Sequence, residues 1–182
     1  MTVRKVTLLG EEVLRQQTEE IKDFGEETQV LVQDLFDTMY HAGGIGIAAP
    51  QIGVSLRICV LDLSRADEPE SHRLTLINPS ILKESKTLEK ATEGCLSIPG
   101  YTGRVKRSER VHVKALGIDG KSFRIKAEGG LLAEVLEHET DHLNGILYIE
   151  RLVSREQLYK IDYNRDESSE ASHMAETPDI RE

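Results

Sequence analysis

Two histidines four residues apart, with a carboxylate beside the first, constrain this chain more than any other feature of its sequence. They lie in the pentapeptide His138-Glu139-Thr140-Asp141-His142. On an α-helix, residues i and i+4 lie one above the other on one face, so both imidazoles can bind one metal ion. Glu139 can then act as a general base toward water at that ion. The pattern indicates the centre of a metal-dependent hydrolase that still lacks a third protein ligand.

The helix that carries this pentapeptide is predicted over about residues 131–143 and is amphipathic. Leu131, Val135, His138 and His142 fall at i, i+4, i+7 and i+11, which form one inward-facing stripe. The histidines thus lie at the end of an apolar stripe, where water is partly excluded. Two core-satisfied or exposed histidines are the competing interpretation, which the HExxH pattern on a predicted helix disfavours.

Asp141, between the histidines, has two interpretations that the sequence leaves open. It either orients one imidazole through the nitrogen that does not bind metal, or it is a solvated acid on the helix surface.

The third metal ligand is sought upstream, because the residues just after His142 include no further histidine. Cys95 follows a predicted strand and precedes Pro99-Gly100. A thiolate there would complete a Cys-His-His site with one position left for water, as in catalytic zinc sites. A cysteine at such a place is also often a small buried hydrophobe, and Cys59, within an apolar strand, is interpreted that way.

Periodicity elsewhere predicts many strands and few helices. A second helix is expected over about 27–42, ending at Gly43-Gly44, and a short one over 11–16. The predicted strands span 57–63, 74–78 (ended by Pro79), 81–91 (one strand or a pair), 109–115, 122–127 and 146–149. Asp119-Gly120 predicts a hairpin turn. The sequence therefore indicates an α+β fold of mostly antiparallel sheets packed around the HExxH helix.

Composition describes one globular domain with an acidic end. The chain has 182 residues, 38% hydrophobic and 30% charged, with a net charge of −9. Residues 1–163 are expected to form the catalytic domain, and residues 164–182 an acidic polar tail. In that tail six acids against two arginines account for four of the nine excess negative charges. This balance argues against a broad nucleic-acid surface, so no DNA partner is expected.

Location is constrained by what the sequence lacks. No apolar run approaches the roughly 20 residues that span a bilayer, so no membrane partner is expected. The N-terminus has no long apolar core or small-residue cleavage site, which disfavours a secretory signal. The two cysteines do not form a disulfide framework. A cytoplasmic location is expected, or an organellar one if a transit peptide has been removed.

Three segments together resemble the peptide deformylase family. Residues 44–51 (Gly-Ile-Gly-Ile-Ala-Ala-Pro-Gln) resemble its first motif, residues 93–97 (Glu-Gly-Cys-Leu-Ser) its second, and residues 138–142 its third. Their order and separation also agree, and the resemblance extends from the start of the chain to about Val153.

The resemblance implies a function, a cofactor and a partner. The family removes the N-formyl group from the formylmethionine of newly made bacterial or organellar proteins and releases formate. It binds one divalent metal, Fe²⁺ natively and often Zn²⁺ or Ni²⁺ in preparations, through residues that match Cys95, His138 and His142. The expected partners are formyl-Met nascent peptides. Some members end in a basic helix suited to the ribosome, and this acidic tail does not support that contact.

The resemblance also implies roles in catalysis. Glu139 would take the proton from water and pass it to the leaving amine. The Gln51 side-chain amide and the Leu96 backbone N–H would stabilise the oxyanion, together with the metal. Without the motif, Gln51 would be interpreted as an ordinary polar loop residue.

The substrate peptide is expected to lie against the glycine-rich segment, with Ile45 and Gly46 pairing to its main chain. Its binding residues are Gly44, Ile45, Gly46, Glu93, Gly94, Leu131 and Val135. The methionine side chain would lie near Ile45, Leu131, Val135 and His138. A dinucleotide fingerprint at Gly44-x-Gly46 is disfavoured because the segment follows a helix rather than a strand.

Other positions distinguish this chain or leave alternatives. Glu93 and Arg107 have two interpretations: an ion pair beneath the site, or an exposed ion pair that contributes little to stability. Glu137 stands where members commonly have Gln, and Glu134 either borders the substrate pocket or points to solvent. The rival functions are a metallopeptidase that cuts internal peptide bonds and a non-catalytic metal-binding paralogue.

Overall fold

The computed structural model describes residues 2–65, 73–85 and 87–161, so the tail over 164–182 lies outside it. The described residues form two α-helices, α1 (Glu26–His41) and α2 (Gly130–Leu143). The strands are β1 (Gly46–Ala48), β2 (Ile58–Asp62), β3 (Arg73–Glu84), β4 (Thr87–Cys95), β5 (Ile98–Ser108), β6 (Val111–Leu116), β7 (Ser122–Ala127) and β8 (Leu158–Lys160).

The strands form two antiparallel sheets, which confirms the predicted α+β class. The larger has the order β1-β2-β3-β6-β7, and the smaller β4-β5-β8. Because alternate residues of a strand face opposite sides, a central strand can contribute to two cores. In β2, Cys59 and Leu61 join the core around α2, whereas Ile58 and Val60 join the core around α1. The HExxH helix therefore packs on one face of the larger sheet.

Both helices match their sequence signals. In α1 the stripe residues Leu35, Phe36 and Met39 are buried, and the chain leaves the helix at Gly43, which has a φ of +72°. α2 begins one residue earlier than predicted. The predicted hairpin over Asp119-Gly120 joins β6 to β7. None of the helices in the described part of the chain is long and apolar enough to cross a membrane.

Several predicted element boundaries are wrong. Pro79 does not end a strand, because β3 continues to Glu84 through a register shift between Ile77 and Ser80. A bulge tolerates proline since the missing N–H is not needed in the ladder there. The predicted strand over 146–149 is instead irregular at residues 146–147 and then a 3-10 helix, Tyr148–Glu150. The short helix near 11–16 is also 3-10, over Glu12–Arg15.

Three strands were not predicted: β1, β5 and β8. β5 contains Pro99-Gly100, which by sequence marks a break rather than a strand. β1 and β8 have three residues each and are too short to show a period. β1 and β5 line the active-site cavity, and so does Ile161, the residue that follows β8.

Candidate metal centre and active-site cavity

Cys95, at the end of β4, meets the two histidines of α2. One donor atom from each of Cys95, His138 and His142 lies within 4.8 Å of the others. Sγ of Cys95 is 3.3 Å from Nε2 of His142, and the two imidazole centroids are 4.9 Å apart. Donors bound about 2.0–2.3 Å from one ion lie at most a few ångströms from each other. The cluster therefore fits a divalent ion that accepts both thiolate and imidazole, such as Fe²⁺ or Zn²⁺.

Glu93 lies behind His138. Its Oε2 is 2.7 Å from Nδ1 of His138, and both side chains are largely buried. A carboxylate at Nδ1 holds the ring in one orientation and leaves Nε2 for a metal. The hydrogen bonds of His138 with Cys95 and Glu93 outweigh its burial and raise its pKa well above the usual value. Burial lowers the pKa of His142 well below the usual value.

Arg107 forms the centre of a buried ionic cluster beneath these residues. It donates to both carboxylate oxygens of Glu93, at 2.7 and 2.9 Å, and to Asp141 at 2.6 Å. Arg151 donates to Asp141 at 2.7 and 3.0 Å. Burial works to raise the pKa of Glu93, but hydrogen bonds from Arg107 and His138 prevail and lower it to about 2. The carboxylate facing His138 is thus held ionised.

The ionic cluster answers two questions that the sequence left open, one about the Glu93–Arg107 pair and one about Asp141. Arg107 is 3% exposed and Glu93 9%, so their pair is buried rather than a surface contact. Asp141 is neither solvated nor an orienting partner of an imidazole; its carboxylate binds Arg107 and Arg151. Asp141 points away from the neighbouring His142, since positions i and i+1 on a helix face different directions.

Gln51 approaches the cluster from a 3-10 helix, Ala49–Ile52, that follows β1. Its carbonyl oxygen accepts a 2.8 Å hydrogen bond from the Ala48 N–H. Its amide nitrogen is therefore presented to Sγ of Cys95 at 3.4 Å and to Oγ of Ser97 at 3.3 Å. At 1% exposure, Gln51 is a fixed donor beside the metal site rather than a loop side chain.

Glu139 is the buried acid of the site. It is 3% exposed, and its Oε2 has no hydrogen-bond partner among the described residues. Burial raises its pKa from 4.5 to about 7. A general base is most effective when its pKa is near the working pH. A Cβ at Gly46 would overlap Oε1 of Glu139, so only glycine lets β1 lie this close to the acid.

A cavity of about 570 Å³ opens onto this cluster. The predicted site residues that line it are Gly44, Ile45, Gly46, Gln51, Glu93, Gly94, Cys95, Leu96, Leu131, Val135, His138 and Glu139. His142 does not line it and lies behind Cys95, and Glu134 is at its wall. The structure thus brings the three motifs together around one space.

The cavity also has lining residues that the sequence did not indicate. They are Val6, Ala42, Gly43, Thr92, Ile98, Pro99, Gly100, Tyr101 and Ile161. Ile161 reaches the cavity because β8 pairs with β5 and its N–H donates to the Gly100 carbonyl at 2.8 Å. The sequence gives little signal here, because Leu158 and Ile161 are three residues apart and do not follow the two-residue period of a strand.

Comparison with known proteins agrees with this geometry. The family model described as polypeptide deformylase matches residues 3–158. A peptide deformylase from Dehalococcoides mccartyi is 46% identical over 162 residues, which cover 88% of this chain and 93% of the relative.

Solved structures give the same result. A peptide deformylase from Legionella pneumophila is 45% identical with a TM-score of 0.77, and the match covers 86% of this chain and 89% of that one. A Met-Ala-Ser-bound class I type b peptide deformylase from Acinetobacter baumannii is 34% identical with a TM-score of 0.77, and the match covers 83% of this chain and 99% of that one.

Proposed function

Because this chain belongs to the polypeptide deformylase family, we propose that Cys95, His138 and His142 hold its metal ion, with Glu139 as the general base. The enzyme is a metal-dependent hydrolase that removes the N-formyl group from formylmethionine at the start of newly made proteins and releases formate. The rival functions, a metallopeptidase and a non-catalytic paralogue, find no support in the comparisons. The observation that carries the residue assignment is the meeting of Cys95 with both HExxH histidines.

A bound divalent ion supplies Lewis acidity, which favours loss of a proton from water and polarises the formyl carbonyl. Glu139 receives that proton on its carboxylate. Its pKa of about 7, a consequence of burial, lets it later donate the proton to the amine that leaves as the formyl C–N bond breaks. The unpartnered Oε2 is the atom available for this transfer.

Two donors are proposed to stabilise negative charge on the formyl oxygen. The Gln51 amide is held by Ala48 and directed at the metal site, so it needs little reorganisation when charge develops. The Leu96 backbone N–H, adjacent to Cys95 in a cavity-lining turn, is proposed as the second donor. Loss of one such donor typically costs about 10²–10³ in rate.

The peptide is proposed to bind as an added strand between the two sheets. β1 is an edge strand, paired only with β2 among the described strands, and its first residue, Gly46, lines the cavity together with Gly44 and Ile45 just before it. Glu93 and Gly94 of β4 line the opposite wall. The methionine side chain is proposed to pack among Ile45, Leu131, Val135 and His138. Met-Ala-Ser in the Acinetobacter enzyme supports a short peptide as the ligand of such a cavity.

Fe²⁺ is proposed as the metal in vivo, with Zn²⁺ or Ni²⁺ in aerobic preparations, since one thiolate and two imidazoles suit all three. The catalytic domain is proposed to span residues 1–163, with the acidic segment 164–182 as an appendage. The proposed location is the cytoplasm, where formyl-Met nascent peptides are the partners. The tail's acidity does not support it as a ribosome-binding element.

The decisive experiment is formate release from formyl-Met-Ala-Ser by protein purified anaerobically, with metal analysis on the same sample. Formate should appear in proportion to bound metal, and a peptide with a blocked N-terminus should not be cut internally. Metal-replete protein that releases no formate would exclude the proposed residue roles.

A further inference from the structure

The outward face of the β6–β7 hairpin carries cations directly opposite one another. Lys114 of β6 pairs in register with Arg124 of β7, and His112 pairs with Lys126. On the other side of β6, Lys83 of β3 pairs with His112. Lys83, Lys114, Arg124 and Lys126 are all exposed, and we call these four residues the cationic face.

This face is left uncovered by the way the helices pack. The alternate residues Val111, Val113 and Ala115 of β6 point the other way, into the core around α2. On the outward side, α1 covers Ile58, Val60 and Ile77 of the neighbouring strands, and Leu116 is the last part of β6 to reach that core. Of the other outward positions of β6, Lys114 is exposed and His112 is half-buried.

Like charges directly opposite each other across two strands destabilise a sheet. No carboxylate among the described residues lies within 4.0 Å of a nitrogen of the cationic face, and Glu128 approaches only His112, at 3.8 Å. The chain carries a net charge of −9 and has acids to spare, so the composition does not force cations together here. An anionic partner would relieve this repulsion.

We propose that the cationic face binds the phosphate backbone of single-stranded RNA. Neighbouring strands lie about 4.8 Å apart and same-face residues about 6.6 Å apart along a strand, so the face presents a regular grid of cations to a chain of regularly spaced phosphates. Apart from the half-buried imidazole of His112, the outward positions of β6 and β7 carry no aromatic side chain on which a base can stack. Phosphate contacts alone carry no sequence information, so binding should not depend on base identity.

Two other polyanions fit this face less well. A membrane surface requires an apolar stripe among the cations, whereas the outward neighbours Ser80 and Ser122 are polar, with Leu82 alone beside them. An acidic protein segment lacks the uniform charge spacing of a nucleic acid strand. RNA bound to the cationic face would not block hydrolysis, because this face lies on the side of the sheet opposite α2 and leaves the active-site cavity open.

The test is fluorescence anisotropy of a labelled 20-nucleotide oligouridine titrated with the metal-loaded full chain at several salt concentrations. Four neutralised phosphates predict a slope of log K against log salt of about −3, or roughly fifty-fold tighter binding at 50 mM than at 200 mM salt. Oligoadenosine should bind equally. Vesicles with anionic lipid and an oligoglutamate peptide should bind more weakly.

The discriminating variant is the double substitution Arg124→Glu and Lys126→Glu. It should reduce RNA affinity at least tenfold, while formate release from formyl-Met-Ala-Ser stays unchanged. It should also raise the Tm by about 1–4 °C, because opposite charges then face each other across the strands. Lys5→Glu with Arg155→Glu makes the same change in net charge at exposed positions outside the larger sheet, and should reduce RNA affinity far less.

Three results would overturn the proposal: full RNA affinity in the Arg124→Glu, Lys126→Glu variant, an equal loss in the Lys5, Arg155 control, or tighter binding to vesicles or oligoglutamate than to RNA. If the double variant does not fold, Lys114→Gln with Arg124→Gln replaces it, because this pair removes repulsion without introducing acids. Full RNA affinity in that variant would equally exclude the proposal. Because binding is measured without turnover, the result is separate from that of the formate assay.

Discussion

The carboxylate of Glu93 lies 2.7 Å from Nδ1 of His138, although 45 residues separate them in the chain. Replacement of Glu93 by Gln should keep the shape but remove the charge that orients the ring. Loss of such an outer partner typically lowers metal affinity about 10–100-fold. Competition with a chelator measures this affinity. Glu27→Gln, an exposed change on α1, is the matched control, and equal affinity in the two variants would contradict a role for Glu93 at His138.

Arg107 should contribute more to folding than any exposed arginine. Arg107→Met removes the buried cation that Glu93 and Asp141 share, and breaking a buried ion pair in this way typically destabilises by about 3–5 kcal/mol. Arg15, which pairs with Glu150 at the surface, is the comparison, since Arg15→Met should cost less than about 1 kcal/mol. Urea unfolding of both metal-free variants gives the two free energies. Similar costs would show that the buried cluster adds nothing to stability.

Gly46→Ala should impair catalysis through Glu139 while leaving the metal bound. The added methyl group displaces the carboxylate, and a shift of about 1 Å in a reacting group can cost about 10²-fold in rate. Formate release and metal content are measured on the same samples. Glu139→Gln should itself lower the rate of formate release about 10²–10⁴-fold.

A double variant distinguishes this route from a direct loss of peptide binding. If Gly46→Ala acts through Glu139, it should cost little more kcat in the Glu139→Gln background. Full additivity of the two losses would assign the effect of Gly46 to substrate binding instead.

The buried Glu139 should lower the stability of the metal-free protein at neutral pH. Its folded-state pKa is about 7 rather than 4.5, so the folded form keeps a proton that the unfolded form has released. Stability therefore falls as pH rises from about 4.5 to 7, by about 3 kcal/mol for this group. Urea unfolding of wild type and Glu139→Gln at pH 5 and pH 8 should show the variant gaining mainly at pH 8. An equal difference at both pH values would disprove this.

Cys95 and Cys59 should respond differently to the same substitution. Cys95→Ser replaces a thiolate ligand by a poor one and should release the metal. Cys59 is 1% exposed within β2, and burial raises the pKa of its thiol well above the usual range. Cys59→Ser should therefore cost stability but retain metal. Metal analysis after dialysis decides this, and normal metal content in Cys95→Ser would refute the ligand set.

Local periodicity accounts for the parts of the fold that were predicted correctly. The stripe from Leu131 to His142 identified α2 and its inward face, and the alternation over 109–115 identified β6. These patterns repeat within one element, so the sequence displays them directly. Short strands such as β1 and β8 have no such repeat. These short strands form because the edge of a neighbouring strand is available to pair with them.

The sequence by itself determined the residue types of the site and their order along the chain: a glutamine after glycines, then a cysteine, then two histidines with a glutamate. Tertiary structure decided which groups face one another. It directed Asp141 to Arg107 and Arg151 rather than to an imidazole, and it brought Gly46 against Glu139. Periodicity states which face of an element is buried, whereas the partner on that face depends on the packing of distant segments, which no local pattern encodes.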